Sequence, residues 1–261
     1  MKKLILSAAV YAALAPAAFA QTAAPAAPVS DHTFTGNMTI ATDYRFRGVS
    51  QTFRKPTLQG GLDYSHSSGF YVGNWNSNVS GVQYNNGASL EMDFYGGYKF
   101  AVTPDLALDA GALYYYYPGS TVGTTGEKYN NGEIYFAATY KWFSAKYNYG
   151  VTDFFGLNAT TAAVPNGNSK GSGYLDLNAN FEVAEKTTLN VHVGRQWVRH
   201  YGDLNYTDYK IGVSRDMGFA TVGLAVVGTN ADKALYTVAN GAGKSKSLAG
   251  TTAVLSLTKT F

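Results

Sequence analysis

The stretch F-T-G-N-M-T-I-A-T-D-Y-R-F-R, residues 34–47, alternates along its whole length. Even positions carry Phe34, Gly36, Met38, Ile40, Thr42, Tyr44 and Phe46, and odd positions carry Thr35, Asn37, Thr39, Ala41, Asp43, Arg45 and Arg47. A period of two is that of a β-strand with different surroundings on its two sides. One side is mainly apolar, with aromatic residues at both ends; the other is polar, then charged. An apolar face ending in aromatic residues suits a bilayer, whose headgroups lie at the two ends. Lipid tolerates no open sheet edge, so the rest of the chain must repeat the pattern and close on itself.

It does repeat. Eleven further segments alternate, over about 57–66, 70–79, 89–101, 105–117, 132–142, 145–154, 173–183, 187–199, 206–214, 219–229 and 251–261. Leu58, Leu62 and Tyr64 take the outward side of the second, and Tyr71, Trp75 and Val79 that of the third, whose Asn74, Asn76 and Asn78 point inward. In the ninth segment Arg195 falls among the outward residues, which implies either a bulge or a snorkelling side chain. Connections alternate between short turns and longer loops rich in Gly, Asn and Thr. Short turns at one end and long loops at the other describe an antiparallel, up-and-down, membrane-spanning all-β barrel, here of twelve strands; the spacing also admits ten or fourteen.

Most aromatic residues sort to the strand ends, with Trp75 and Tyr149 left at mid-strand. Phe34, Tyr98, Phe100, Tyr140, Trp142, Tyr147, Phe181 and Phe261 fall at one rim, and Tyr44, Phe46, Tyr114, Tyr116 and Trp197 at the other. The competing fold, a secreted β-sandwich or lipocalin-like barrel, would turn its apolar face inward and would not need that sorting.

The first twenty residues differ from the rest. Lys2 and Lys3 precede a short apolar run, and Ala18-Phe19-Ala20 ends in an A-x-A cleavage signal before Gln21. Residues 1–20 therefore read as a secretory signal peptide, 21–33 as a flexible Ala/Pro-rich lead-in, and 34–261 as the barrel. The formal charge of +3 falls to about +1 without Lys2 and Lys3. The apparent basicity thus gives no footing for nucleic acid. There are no cysteines, which excludes disulfides and a lipid-modified N-terminal cysteine.

The segments Y-R-F-R-G-V-S-Q-T (44–52), P-T-L-Q-G-G-L-D-Y-S-H-S-S-G-F-Y-V-G-N-W-N-S-N-V (56–79), E-M-D-F-Y-G-G-Y (91–98) and Y-N-Y-G (147–150) resemble the TorF-type porins, a proteobacterial outer-membrane family. The resemblance implies a barrel in the outer membrane, with outer-membrane lipid and the barrel assembly machinery as partners. C-terminal Phe261 is similar to the terminal aromatic that this machinery reads; Lys259 departs from the apolar residue common near that end.

No constellation supports an enzyme. His32, His66, His192 and His200 are scattered and cysteine is absent, so there is no zinc motif. D-L-N-A-N-F (176–181) lacks the glycine a calcium loop needs. No cofactor is implied. Information lies instead in the inward charges: Asp43, Arg45, Arg47, Asp63, Glu91, Asp93, Lys99, Asp109, Glu133, Lys141, Lys146, Asp176, Glu182, Asp208 and Lys210. Such a lining serves a wetted channel for small hydrophilic solutes or ions, and equally an ion-paired plug in a non-conducting barrel that acts through its outer loops. Nine acids against six bases give a weak preference for cations.

Overall fold

A computed structural model describes residues 30–83, 88–239 and 245–261. The proposed signal peptide and most of the lead-in lie outside them. The strands are β1 (His32–Ala41), β2 (Arg45–Phe46), β3 (Val49–Ser50), β4 (Thr57–His66), β5 (Phe70–Asn78), β6 (Leu90–Ala101), β7 (Leu106–Tyr116), β8 (Asn131–Tyr140), β9 (Phe143–Gly150), β10 (Gly173–Ala184), β11 (Thr187–Trp197), β12 (Tyr206–Asp216), β13 (Thr221–Thr229), β14 (Thr237–Ala239), β15 (Ser245–Ser247) and β16 (Thr252–Thr260).

Twelve of them form a closed antiparallel barrel in the order β1-β16-β13-β12-β11-β10-β9-β8-β7-β6-β5-β4. Two small hairpins, β2–β3 and β14–β15, lie in loops. β1 seals the barrel: Met38 sits between Lys259 of β16 and Gly60 of β4. Phe261 extends the seam, exchanging backbone hydrogen bonds with Gly36 at 2.7 and 2.9 Å. A Cβ on Gly36 would lie 2.6 Å from the Phe261 ring, so the glycine makes room for the terminal aromatic.

The apolar side faces outward. Phe34 is 76% exposed and Leu62 69%, and Leu58, Ile134, Phe136, Ile211, Leu224 and Leu255 are exposed with them. Water does not tolerate a continuous apolar belt of that size, whereas hydrocarbon requires one. At the short-turn end Trp142 and Phe181 pack together, with ring centroids 4.4 Å apart and planes tilted by 38°. Arg195 does face outward, and the register around it is regular. Its Nη1 donates to Thr207 Oγ1 at 3.2 Å and its guanidinium lies 5.9 Å from the Trp197 ring, so it snorkels to the rim. The irregularity of β10 sits elsewhere, between Glu182 and Ala184.

Three sequence expectations are corrected. First, β1 begins at His32 and ends at Ala41, so Asp43, Tyr44, Arg45, Phe46 and Arg47 are not on a wall strand. Tyr44 and Arg47 are buried, and neither Tyr44 nor Phe46 belongs to an aromatic girdle. Second, β5 is inverted: Phe70 and Val72 are exposed, whereas Tyr71 and Val79 are buried and Trp75 packs against the inner cluster. Asn74, Asn76 and Asn78 share the outward side with Phe70 and Val72. Third, Lys141 occupies the turn between β8 and β9 with φ +52 and is half exposed beside Asp105, 3.6 Å away. The chain needs that residue to reverse direction, so it leaves the wall.

Candidate channel interior

The long loop between β1 and β4, residues 42–56, folds into the barrel instead of away from it. Its tip is Arg47-Gly48, between β2 and β3, with φ +46 and +78. Positive φ at both central residues is the turn that a two-residue hairpin prefers. A Cβ on Gly48 would lie 2.7 Å from Asp208 Cβ and 2.9 Å from the Gly228 carbonyl. The tip therefore touches the wall at β12 and β13, and only glycine fits there.

Arg47 fastens the loop to β8 and β11 across the lumen. Its Nη2 donates to both Glu133 oxygens at 2.9 and 2.7 Å and its Nη1 to Gln196 Oε1 at 2.7 Å. The guanidinium also lies 4.1 Å from the Tyr174 ring centroid and 4.7 Å from that of Phe46. A charge buried this deeply persists because it is both paired and stacked. Arg45 ties the same loop inward. Its Nε donates to Asp43 at 2.6 Å, and its Nη1 to the carbonyls of Gly48, Leu248 and Gly250 at 3.0, 3.1 and 3.2 Å. Asp43 also accepts from Ser50 at 2.7 Å and Thr52 at 3.0 Å. On the near side the Tyr44 hydroxyl donates to Glu91 at 2.8 Å, and its ring meets Trp75 edge-on at 5.4 Å.

Glu91 and Asp93 follow one another on the inner side of β6 and are 1% and 2% exposed. Glu91 Oε2 and Asp93 Oδ1 have no hydrogen-bond partner among the described residues. The loop-side interior is thus strongly acidic: Asp43, Glu91, Asp93, Glu133 and Asp208 face two bases, Arg45 and Arg47.

Toward the short turns the inner wall opens. Asp63, Lys99, Asp109, Lys146, Asp176 and Lys210 are all partly exposed. Charges here face one another across strands: Lys99 is the register partner of Asp109, and Lys146 of Asp176. Tyrosines line the same section. Tyr95 donates to Asp63 at 2.6 Å, and Tyr71 donates to Asp109 at 2.7 Å while its hydroxyl also meets that of Tyr135. His192 bridges Asp176 at 3.0 Å and Asp208 at 2.8 Å. Glu182 lies at the turn end of β10 and is exposed. Among the described residues no group of three or more His, Cys, Asp or Glu could hold a metal ion.

A bacterial family model, Gcw_chp, described as of unknown function, matches residues 25–261. The chain belongs to the Gcw_chp family. No curated relative matches this Gcw_chp protein. Among solved structures, a KdgM porin aligns with TM-score 0.52 at 8% identity, covering 87% of this chain and 99% of its own. A KdgM porin in complex with disordered oligogalacturonate gives TM-score 0.51 at 7% identity, covering 88% and 99%. A NanC porin gives TM-score 0.52 at 8% identity, covering 87% and 99%. At such identities the likeness establishes the barrel fold.

Sequence reasoning missed two features of this Gcw_chp chain. One is the tyrosine lining, in which Tyr71, Tyr95 and Tyr135 meet the inward carboxylates and one another. The other is the inserted loop. Its signal was present, because F-R-G-V (46–49) places a residue pair able to form a tight turn at the end of the supposed strand.

Proposed function

We propose that this protein is an outer-membrane channel for passive diffusion of small hydrophilic solutes or ions, narrowed from within by residues 42–56. The carrying observation is the partly exposed lining of both charge signs in the short-turn half: a barrel with a purely structural role has no need of an accessible charged interior. The apolar outer belt, the twelve-stranded closure, the porin-like fold and the TorF-type resemblance of residues 44–79 support the outer-membrane assignment. A-x-A at 18–20 supports export by a cleavable signal.

The narrow part is acidic, and Lys141 is not on the wall. Both facts strengthen the cation preference over the weak one that the sequence implies. The packing of Arg47 and Tyr44 favours a second reading, a barrel sealed by its own loop that acts through the other loops. Planar-bilayer recording decides between them. The channel predicts small, cation-preferring steps from the folded wild-type protein; complete electrical silence of correctly folded wild-type barrels selects the sealed barrel, whether or not Arg47→Ala opens it.

A further inference from the structure

The outer face of β5 is polar where hydrocarbon should lie. β5 starts at Phe70 at the turn end. A strand rising ~3.3 Å per residue and tilted ~40° advances about 2.5 Å per residue along the barrel axis. Asn74 and Asn76 then sit about 10 and 15 Å above Phe70, within an apolar band about 25 Å tall. The other polar outward residues, among them Asn78, Arg195, Thr207, Arg215 and Lys259, lie within two residues of a strand end, where side chains reach the headgroups. On the remaining described strands the mid-depth outward positions are apolar, aromatic or glycine.

The two amides partly satisfy each other. Asn76 Nδ2 donates to Asn74 Oδ1 at 2.6 Å, and Asn74 Nδ2 to the Asp93 carbonyl at 3.0 Å. Asn76 Oδ1 accepts no hydrogen bond among the described residues. An acyl chain cannot supply a donor, and a polar group left unpaired in hydrocarbon is costly. Around the amides the surface is shaped for close approach. Gly60 lies beside Asn76 in the register, and a shallow apolar notch below is lined by Tyr64, Phe70, Val72, Gly96, Tyr98 and Ala110. Small residues with a few amides make the lateral contacts that hold proteins together in membranes, where apolar area alone supplies no drive.

We infer that the β4–β6 wall is the contact surface for a second copy of this chain, with Asn74 and Asn76 of each copy hydrogen-bonding across a two-fold axis along the membrane normal. The occupant follows from chemistry. An amide is donor and acceptor at once, so it complements itself, and a two-fold axis places both ladders at the same depth. The inference depends on the barrel spanning a membrane but not on whether it conducts.

The chain has no cysteine, so Asn76→Cys introduces a single thiol. Oxidation in intact outer membranes should give a disulfide dimer at twice the chain mass. Val193→Cys, on β11 across the barrel, should give several-fold less. Equal yields at both positions, no dimer at position 76 in heat-modifiable barrels, or an adduct with a different polypeptide each overturn the inference. Recovery of the wild-type protein in the soluble fraction would instead sink the membrane reading beneath it. In mild detergent, light scattering should find a dimer that Asn74→Leu with Asn76→Leu converts to monomer; a dimer that survives both substitutions also overturns it.

Discussion

The two halves of the barrel interior are built from the same residue types to opposite ends. Toward the loops, Arg47, Glu91, Asp93, Glu133 and Asp208 are buried, packed against residues 42–56. Toward the turns, Asp63, Lys99, Asp109, Lys146 and Lys210 stay partly exposed, in cross-strand arrangements that water can reach. The wall strands are continuous through both halves, so the difference comes from the inserted loop and the loops packed on it, which bring in Phe155, Leu248 and Ala249. Together they convert a charged lining that would be merely wet into a set of buried pairs whose removal is expensive. A charge should therefore matter to stability above the level of the loop tip and to permeation below and beside it.

The sharpest break is at Arg47. Arg47→Ala leaves Glu133 buried without its cation, which should destabilise the folded barrel by about 3–5 kcal/mol. Urea titration followed by loss of the heat-modifiable gel form measures it. The same substitution should free the tip and raise single-channel conductance. A loss below about 1 kcal/mol, the range of exposed pairs, would mean that the loop-side half is as wet as the other and would erase the comparison.

The next effect sharpens the contrast between the faces of one strand in the wetter half. On β7, Ala112 is directed outward at mid-strand, and Asp109 inward, where it accepts from Tyr71 at 2.7 Å. Ala112→Arg should cost about 2–4 kcal/mol, the penalty of arginine at a bilayer midplane. Asp109→Asn keeps an acceptor for Tyr71 and should cost about 1 kcal/mol or less, as one neutral hydrogen bond does. Parallel urea titrations test the pair, and the reverse order would place Asp109 against lipid.

Selectivity gives a smaller but more telling signal. Glu91→Gln with Asp93→Asn removes two carboxylates that no cation partners among the described residues. The reversal potential under a salt gradient should move toward zero from the cation side, with little loss of stability, since burying neutral amides is easier than burying charges. A reversal potential that does not change would show that ions do not pass beside β6.

Twelve strands were legible because lipid imposes one rule everywhere: apolar outward, with the polar backbone fully paired. Eleven of the twelve facings follow from it, including Arg195, where the side chain bends to the rim and the register stays regular. β5 breaks the rule, for alternation separates two faces without saying which one meets lipid. Tyr71, Trp75 and Val79 look like a lipid face, yet they pack on Tyr44 and the tyrosine lining. Phe70 and Val72, on the other parity, carried the contrary signal. The inserted loop was illegible for a related reason. An extended hairpin crossing a lumen alternates as a wall strand does, so Tyr44 and Phe46 continue the pattern of Phe34 to Ile40 while occupying the interior. Function is less legible than fold, because a lining of mixed charge suits both a channel and a plug, and only the position of the loop divides the interior into the two.

The smallest effect belongs to the charge that left the wall. Lys141 reverses the chain between β8 and β9, and its Nζ lies 3.6 Å from Asp105 with both side chains about half exposed. Water and salt screen such a pair, and holding two long side chains together costs entropy, so its worth is about 0–1 kcal/mol. Lys141→Gly separates the two roles. It abolishes the pair but relieves a positive φ of +52, which glycine adopts freely. The gain from relief should offset the lost pair, leaving the unfolding midpoint nearly unchanged, and the reversal potential should stay at the wild-type value. A reversal potential that shifts as far as in the Glu91→Gln, Asp93→Asn variant would return Lys141 to the permeation path. The selective region would then sit at the turn end and not beside the inserted loop.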